Sequence, residues 1–191
     1  MVKSIKNMEG KIVFKGKSKS GMDMIIRYPR SSDLGSLLNF INEISKERSF
    51  ILYQGEKVTL EEERKYLENL LEKIASRKTV KLLVLTNEGD LIGSADITMK
   101  NLAMRHLGDF GIALAKKYRG DGIGKILIEE ILKEAKKELP EIRTILLGVF
   151  ETNNVAANLY SKFGFKQYGR LPKGIMRENS FEDEILMYKN I

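Results

Sequence analysis

The chain has no cysteine and no tryptophan, and it holds one histidine and three prolines among its 191 residues. Without cysteine there can be no disulfide, no thiol nucleophile and no thiolate-bound metal. A zinc centre or a Ser-His-Asp triad would have to rest on His106 alone. No apolar run approaches the ~20 residues that cross a bilayer. Lys3, Lys6, Glu9 and Lys11 interrupt the start of the chain, so a secretory leader is not expected there. The expected location is cytoplasmic, with no membrane partner. What remains is 42% hydrophobic and 31% charged, the balance of a globular chain and not of a disordered one. The length suits one well-buried domain, expected over residues 22–191. Residues 1–21 are basic and fit either a tail or an extra edge strand.

The net charge of +7 raises the question of nucleic acid. Lys and Glu interleave along the helices, as in EKIASRK and KEAKKE, which is how a solvated face reads. Neither a helix-turn-helix signal nor an aromatic-basic surface pattern is present, so nucleic acid is not expected as a partner. A modest positive field suits a polyanionic cofactor equally well.

Read in order, MIIRY from Met24 is β-rich, and Ser31-Ser32-Asp33 offers a cap for a helix carrying Leu34, Leu37, Leu38, Ile41 and Ile44 on one face. Residues 50–58 show no period and read as a loop. Thr59-Leu60-Glu61-Glu62 is a capping box for a helix that turns Leu67, Leu70, Leu71 and Ile74 inward. VKLLVLT and LIGSADITM form a hairpin around Asn87-Glu88-Gly89-Asp90. LGDFGIALA is a strand, and the helix from Ile123 stops before Pro140. The apolar run IRTILLGVF reads as a central strand. A short helix starts at Asn153 or Asn154 and ends at Gly164. FKQYGR and FEDEILMYK close the chain as strands, with a loop expected over Pro172–Ser180. One mixed sheet with helices on both faces follows, an α/β (α+β) chain.

The strand ending near Ala115 feeds Tyr118-Arg119-Gly120-Asp121-Gly122-Ile123-Gly124-Lys125, which opens a helix. A glycine-rich turn at a helix N-terminus exposes unpaired N–H groups and partial positive charge, a setting for phosphate. Its spacing excludes a P-loop, because Ile126 follows Lys125 where a hydroxyl must stand. It also excludes the dinucleotide fingerprint, because Lys125 and Leu127 occupy the required glycine positions. What fits is Arg119-x-x-Gly122-x-Gly124. After the next strand comes Asn154-Val155-Ala156-Ala157-Asn158-Leu159-Tyr160-Ser161-Lys162-Phe163-Gly164-Phe165. These two stretches, in this order, resemble the paired signatures of the GNAT superfamily of N-acetyltransferases. Within it the chain looks most similar to the ribosomal-protein and polyamine acetyltransferase branch.

The resemblance implies a GNAT acyltransferase fold, a twisted, mostly antiparallel sheet whose fourth and fifth family strands splay apart around acetyl-CoA. No metal takes part. The coenzyme would lie along Ile112, Ala113 and Leu114, with one N–H as oxyanion donor. Its pyrophosphate would rest on Arg119, Gly120, Asp121, Gly122, Ile123 and Gly124, with Lys125 close by. Asn154 and Ala157 would meet the coenzyme arm; capping and helix packing are the alternatives. Tyr160 would protonate the departing thiolate, or serve only as a core aromatic. The acceptor would be a primary amine on a small molecule, peptide or protein. Asp109 and Glu151 are the expected bases, with His106 third. Glu43, Glu47, Glu56 and Glu61 make the expected acceptor wall acidic. A homodimer through the late strands is compatible with the family. A non-catalytic coenzyme-binding module is the competing reading, and it would not need Tyr160.

Overall fold

The computed structural model describes residues 8–177 and 180–191. Its elements are β1 (Ile12–Lys17), β2 (Asp23–Arg27), α1 (Leu34–Lys46), α2 (Leu60–Ala75), β3 (Thr79–Thr86) and β4 (Leu91–Met99). There follow β5 (Leu107–Leu114), α3 (Ile123–Glu138), β6 (Thr144–Phe150), α4 (Asn154–Lys162), β7 (Lys166–Arg177) and β8 (Ser180–Asn190). The eight strands form one sheet in the order β1-β2-β3-β4-β5-β6-β8-β7. Every pairing is antiparallel except β5 with β6. That exception follows from connectivity, because α3 carries the chain back across the sheet between them.

Helix placement follows from burial. All eight residues of β3 are buried, and alternate side chains of a strand point to opposite faces, so β3 is covered on both. α3 packs on β3 and β4, while α1 lies against β4 and α2 against β3. Ile123, Leu127, Ile131, Ala135 and Leu139 of the α3 stripe are at most 1% exposed. At the head of α2, Thr59 Oγ1 accepts from Glu62 N–H at 3.3 Å and Glu62 accepts from Thr59 N–H at 2.8 Å. The capping box read from the sequence is therefore made.

Two local expectations are corrected. Asp33 does not cap α1 through its side chain. Its carboxylate is buried and takes two hydrogen bonds from Arg27, at 2.7 and 2.8 Å, and one from Arg30 N–H at 2.7 Å. A guanidinium fork satisfies both carboxylate oxygens, an arrangement favoured over a single capping bond. The expected Pro172–Ser180 loop is largely strand, since β7 continues to Arg177 with a register shift between Leu171 and Ile175; residues 178–179 lie outside the described residues. A proline fits there because β7 is an edge strand and needs no N–H on its outer side.

Within the basic segment 1–21, residues 1–7 lie outside the described residues, and Ile12–Lys17 forms β1 along β2. Lys11 and the Tyr28 hydroxyl both donate to Glu134, at 2.6 and 2.9 Å, which ties this edge of the sheet to α3. Among the described residues, no helix is long and apolar enough to cross a membrane.

Candidate active site

The site begins where the parallel pair comes apart. β5 and β6 pair only at Leu107–Asp109 with Thr144–Leu146. β5 then continues to Leu114 and β6 to Phe150 without pairing, so an open edge of each strand faces the gap. Ala115 N–H donates to Ile92 of β4 at 3.0 Å. N–H groups alternate sides along a strand, so those of Ile112 and Leu114 point away from β4 into the gap, and that of Ala113 points back to β4.

β5 leads directly into the glycine turn. Gly120 and Gly122 have φ of 81° and 77°, a left-handed region that Cβ-bearing residues avoid. This backbone turns successive N–H groups outward at the start of α3. The N–H groups of residues 120–124 donate to no acceptor among the described residues. Together with the helix dipole they form a fit for a phosphate-bearing group.

The side chains of the turn do other work. Asp121 accepts from Ser20 N–H and Ser20 Oγ at 2.6 and 2.7 Å, and bonds from Ser18 and then Ser20 hold its carboxyl below the usual range. Its charge is thus turned to the β1–β2 connection and away from the N–H groups. The Ile123 side chain is 1% exposed, which leaves only its backbone for a ligand. Arg119 Nε donates to Leu114 O at 2.8 Å, and its terminal nitrogen is bound to Glu47, whose other oxygen accepts from Lys116 N–H at 2.9 Å. Lys125 is exposed on α3.

Behind the open strand ends lies a cavity of about 500 Å³. α1 contributes Phe40 and Ile41, α2 contributes Glu62, Glu63 and Tyr66, and the 50–58 loop closes one side. Phe50 of that loop sits edge-on to Phe150 at 5.6 Å, with the Arg177 guanidinium over both rings. Lys81 of β3 and Asp96 of β4 also line the cavity and bond at 3.0 Å. Burial works to lower the Lys81 pKa, but Asp96 and Tyr66 outweigh it and keep the ammonium charged. Glu184 of β8 crosses the face of Gly148, where a Cβ would lie 1.9 Å from its Oε1.

Tyr160, from α4, faces the same cavity. It is 8% exposed, edge-on to Phe110 at 6.0 Å and tilted on Phe165 at 5.9 Å. Burial pushes its phenol up to about 12, so it is a neutral proton donor across the working pH range.

Other expected residues lie elsewhere. Asp109 sits on the paired half of β5 and bonds Lys100 at 2.7 Å. Glu151 is ion-paired with Arg170 at 2.7 Å. His106 is exposed just before β5, and its carbonyl accepts from Arg143 N–H at 2.8 Å. None of the three lines the cavity. Glu43 and Glu61 pair with lysines of their own helices, Glu47 holds Arg119, and Glu56 bonds the backbone of its loop. The acidic wall is made instead by Glu62, Glu63, Asp96 and Glu184.

Asn154 is exposed at the first position of α4 and does not reach the cavity. Its neighbour Asn153 lines the cavity and caps the helix, accepting from Ala156 N–H at 3.2 Å. The signature N-x-x-A-x-x-L-Y, counted back from Leu159 and Tyr160, lands on Ala156 and Asn153, one residue before the expected Ala157 and Asn154. A usable signal for Lys81 and Asp96 was also present: each is a charge inside an otherwise uncharged strand.

A strand pair splayed at one end, with a glycine-rich turn running into the following helix, is the acyltransferase fold that the sequence resemblance implied. The chain matches the acetyltransferase (GNAT) family over residues 40–165 and belongs to it. It is 30% identical over 117 residues to the L-amino acid N-acetyltransferase of Escherichia coli (strain K12), covering 61% of this chain and 72% of that one. It is 36% identical over 56 residues to the spermine/spermidine N(1)-acetyltransferase of Bacillus subtilis (strain 168), covering 29% of this chain and 36% of that one. Among solved structures, a GNAT-family acetyltransferase from Streptococcus pneumoniae superposes with a TM-score of 0.79 at 32% identity, covering 88% of this chain and 99% of that one. A spermidine N-acetyltransferase from Vibrio cholerae, solved with CoA and spermine, shares the fold with a TM-score of 0.71 at 23% identity, covering 87% and 95%.

Proposed function

We propose that this protein transfers the acetyl group of acetyl-CoA to a primary amine held in the cavity beside Tyr160. The observation that carries the reading is a run of three features, two of which, the β5 edge and Tyr160, meet in the cavity, while the third follows β5 with Gly124 beside Leu114 and Leu159. These are the open β5 edge, the unengaged N–H groups of residues 120–124 and the buried phenol of Tyr160. The bound cosubstrate supplies a thioester as the acetyl donor.

This chain's residues divide the remaining tasks. The N–H groups of residues 120–124 hold the pyrophosphate, with Lys125 adding positive charge beside them, while Arg119, paired with Glu47 and bonded to Leu114 O, braces the turn. The open edge at Ile112 and Leu114 takes the pantetheine arm, and one of their N–H groups stabilises charge on the carbonyl oxygen. Ala113 faces β4 and serves as strand framework. Asn153 and the small Ala156 and Ala157 line the start of α4 beside the arm, with Asn154 at its rim.

The acceptor must be uncharged to attack, and an aliphatic amine with a pKa of ~10.4 arrives as its ammonium. Glu184 accepts that proton, since its carboxylate lies at the splayed end of β6 and carries no ion pair among the described residues. The amine nitrogen then bonds the acetyl carbon while the C–S bond breaks. Tyr160 delivers its hydroxyl proton to the departing sulfur, and the phenolate so formed takes back the surplus proton of the acylated nitrogen, leaving a neutral amide and the free thiol.

The acidic lining suits a cationic acceptor, consistent with amino-acid and spermine/spermidine acetyltransferases among the similar proteins. Exposed Tyr168, Leu171, Met176 and Phe181 on the last two strands favour self-association along that edge.

Release of CoA thiol from acetyl-CoA, measured against a panel of amines, tests the transfer. The protein adds no thiol of its own. Acceptor-dependent release is the expected result. Tight acetyl-CoA binding with no release for any amine would favour a coenzyme-binding module instead. An absence of acetyl-CoA binding in calorimetry would overturn the cofactor reading.

A further inference from the structure

Glu63 is 5% exposed, yet its carboxylate makes no hydrogen bond and no ion pair among the described residues. Carboxylates are seldom buried without a partner, because a lone charge in an apolar setting forfeits its hydration without recompense. The other acidic groups of the cavity wall are accounted for. Glu62 caps α2 through Thr59, Asp96 bonds Lys81, and Glu184 stands at the reacting end. Among the described residues, Lys81 is the one cation that acts on Glu63, and its ammonium already donates to Asp96 at 3.0 Å. Burial dominates at Glu63 and pushes its carboxyl up, with Lys81 opposing.

An unpartnered carboxylate on a buried side chain, its oxygens open to a ligand cavity, calls for a cation supplied by the ligand. A metal ion does not fit, since no cluster of three or more His, Asp or Glu among the described residues could hold one. An organic ammonium does, because it needs a single carboxylate and brings an aliphatic body. Leu37, Phe40 and Ile41 line the apolar part of the same cavity.

We propose that Glu63 binds a second ammonium group on the acceptor, so that the cavity selects aliphatic diamines over amines with a neutral far end. This rests on the acetyl-transfer reading above. One amine loses its proton at Glu184 and reacts, and the other stays charged on Glu63. The apolar wall covers the methylene chain between them, and its length sets which diamines reach both carboxylates.

The test is calorimetric titration of the CoA-bound protein with 1,5-diaminopentane and with 5-amino-1-pentanol, its neutral-ended counterpart. Wild type should bind the diamine at least about tenfold more tightly, the equivalent of ~1.4 kcal/mol. Glu63→Gln should weaken diamine binding by at least about tenfold and bring the two ligands within about twofold of each other. The variant should melt no lower than wild type, since it exchanges a buried charge for an amide of the same shape. Three results would each overturn the proposal: no measurable diamine binding, equal affinities in wild type, or a diamine preference that survives in Glu63→Gln. Binding is read without turnover, so failure of acetyl transfer with an intact, Glu63-dependent diamine preference would sink the transfer reading alone.

Discussion

Tyr160→Phe separates acid catalysis from packing. The phenylalanine ring keeps the contacts with Phe110 and Phe165, and the hydroxyl has no hydrogen-bond partner among the described residues to abandon. The expected stability change is therefore below about 1 kcal/mol. Affinity for acetyl-CoA should stay within about twofold, because the glycine turn and the β5 edge proposed to hold it are untouched. The chemical step should lose the whole contribution of a positioned general acid, about 10²–10⁴-fold. At ~1.36 kcal/mol per decade this is about 2.7–5.4 kcal/mol of transition-state stabilisation. The assay is kcat from CoA thiol release, beside calorimetry for acetyl-CoA and a thermal melt. Turnover within about threefold of wild type, with folding intact, would refute the assignment. The pH dependence adds a second check. With the phenol pushed up to about 12, the wild-type rate should show no alkaline fall from tyrosine near its ordinary 10.0. Its stability should decline above pH 10.0, as the unfolded chain's phenol loses its proton while the native one keeps it until about 12.

Asp33→Ala should cost about 3–5 kcal/mol in denaturant unfolding, because it strands the buried Arg27 guanidinium. In wild type the native Asp33 carboxyl is lowered from 3.8, so its contribution is present above that pH and lost as the pH falls through the native value. Gly122→Ala places a Cβ at φ 77°, at a strain of ~1–2 kcal/mol. It should weaken acetyl-CoA binding by calorimetry roughly tenfold while turnover at saturating cosubstrate holds; unchanged affinity would argue against a phosphate role for the turn. Gly148→Ala sets a methyl 1.9 Å from Glu184 Oε1 and forces the carboxylate to swing away. It should lower kcat at neutral pH at least about tenfold with partial recovery at pH 10, where more acceptor is already deprotonated.

Much of this molecule could be read locally. The capping box at Thr59, the hairpin at Asn87–Asp90 and the apolar stripe of α3 depend on residues three or four positions apart. The chemistry that forms them acts over that distance. The glycine turn was legible for the same reason: Gly120 and Gly122 set their own backbone and leave the N–H groups free. Asp33 misled because Ser31-Ser32-Asp33 is a sound cap by itself, and its true partner, Arg27, lies on the preceding strand. Pro172 read as a loop because the edge position that tolerates it exists only once β8 has paired with β6.

The sequence by itself determined the order of elements from β2 onward, the glycine turn and the tyrosine on the short helix after β6, since each is written in contiguous residues. The tertiary structure alone decided which carboxylates line the cavity. Asp109 sits on β5 and Glu151 just past the end of β6, but Lys100 and Arg170 hold them outside the cavity. Glu63, Asp96 and Glu184, from α2, β4 and β8, converge on it instead. Their convergence follows from the splay of β5 from β6 and from α1 and α2 packing across the sheet. It is a property of long-range burial, which no local pattern encodes.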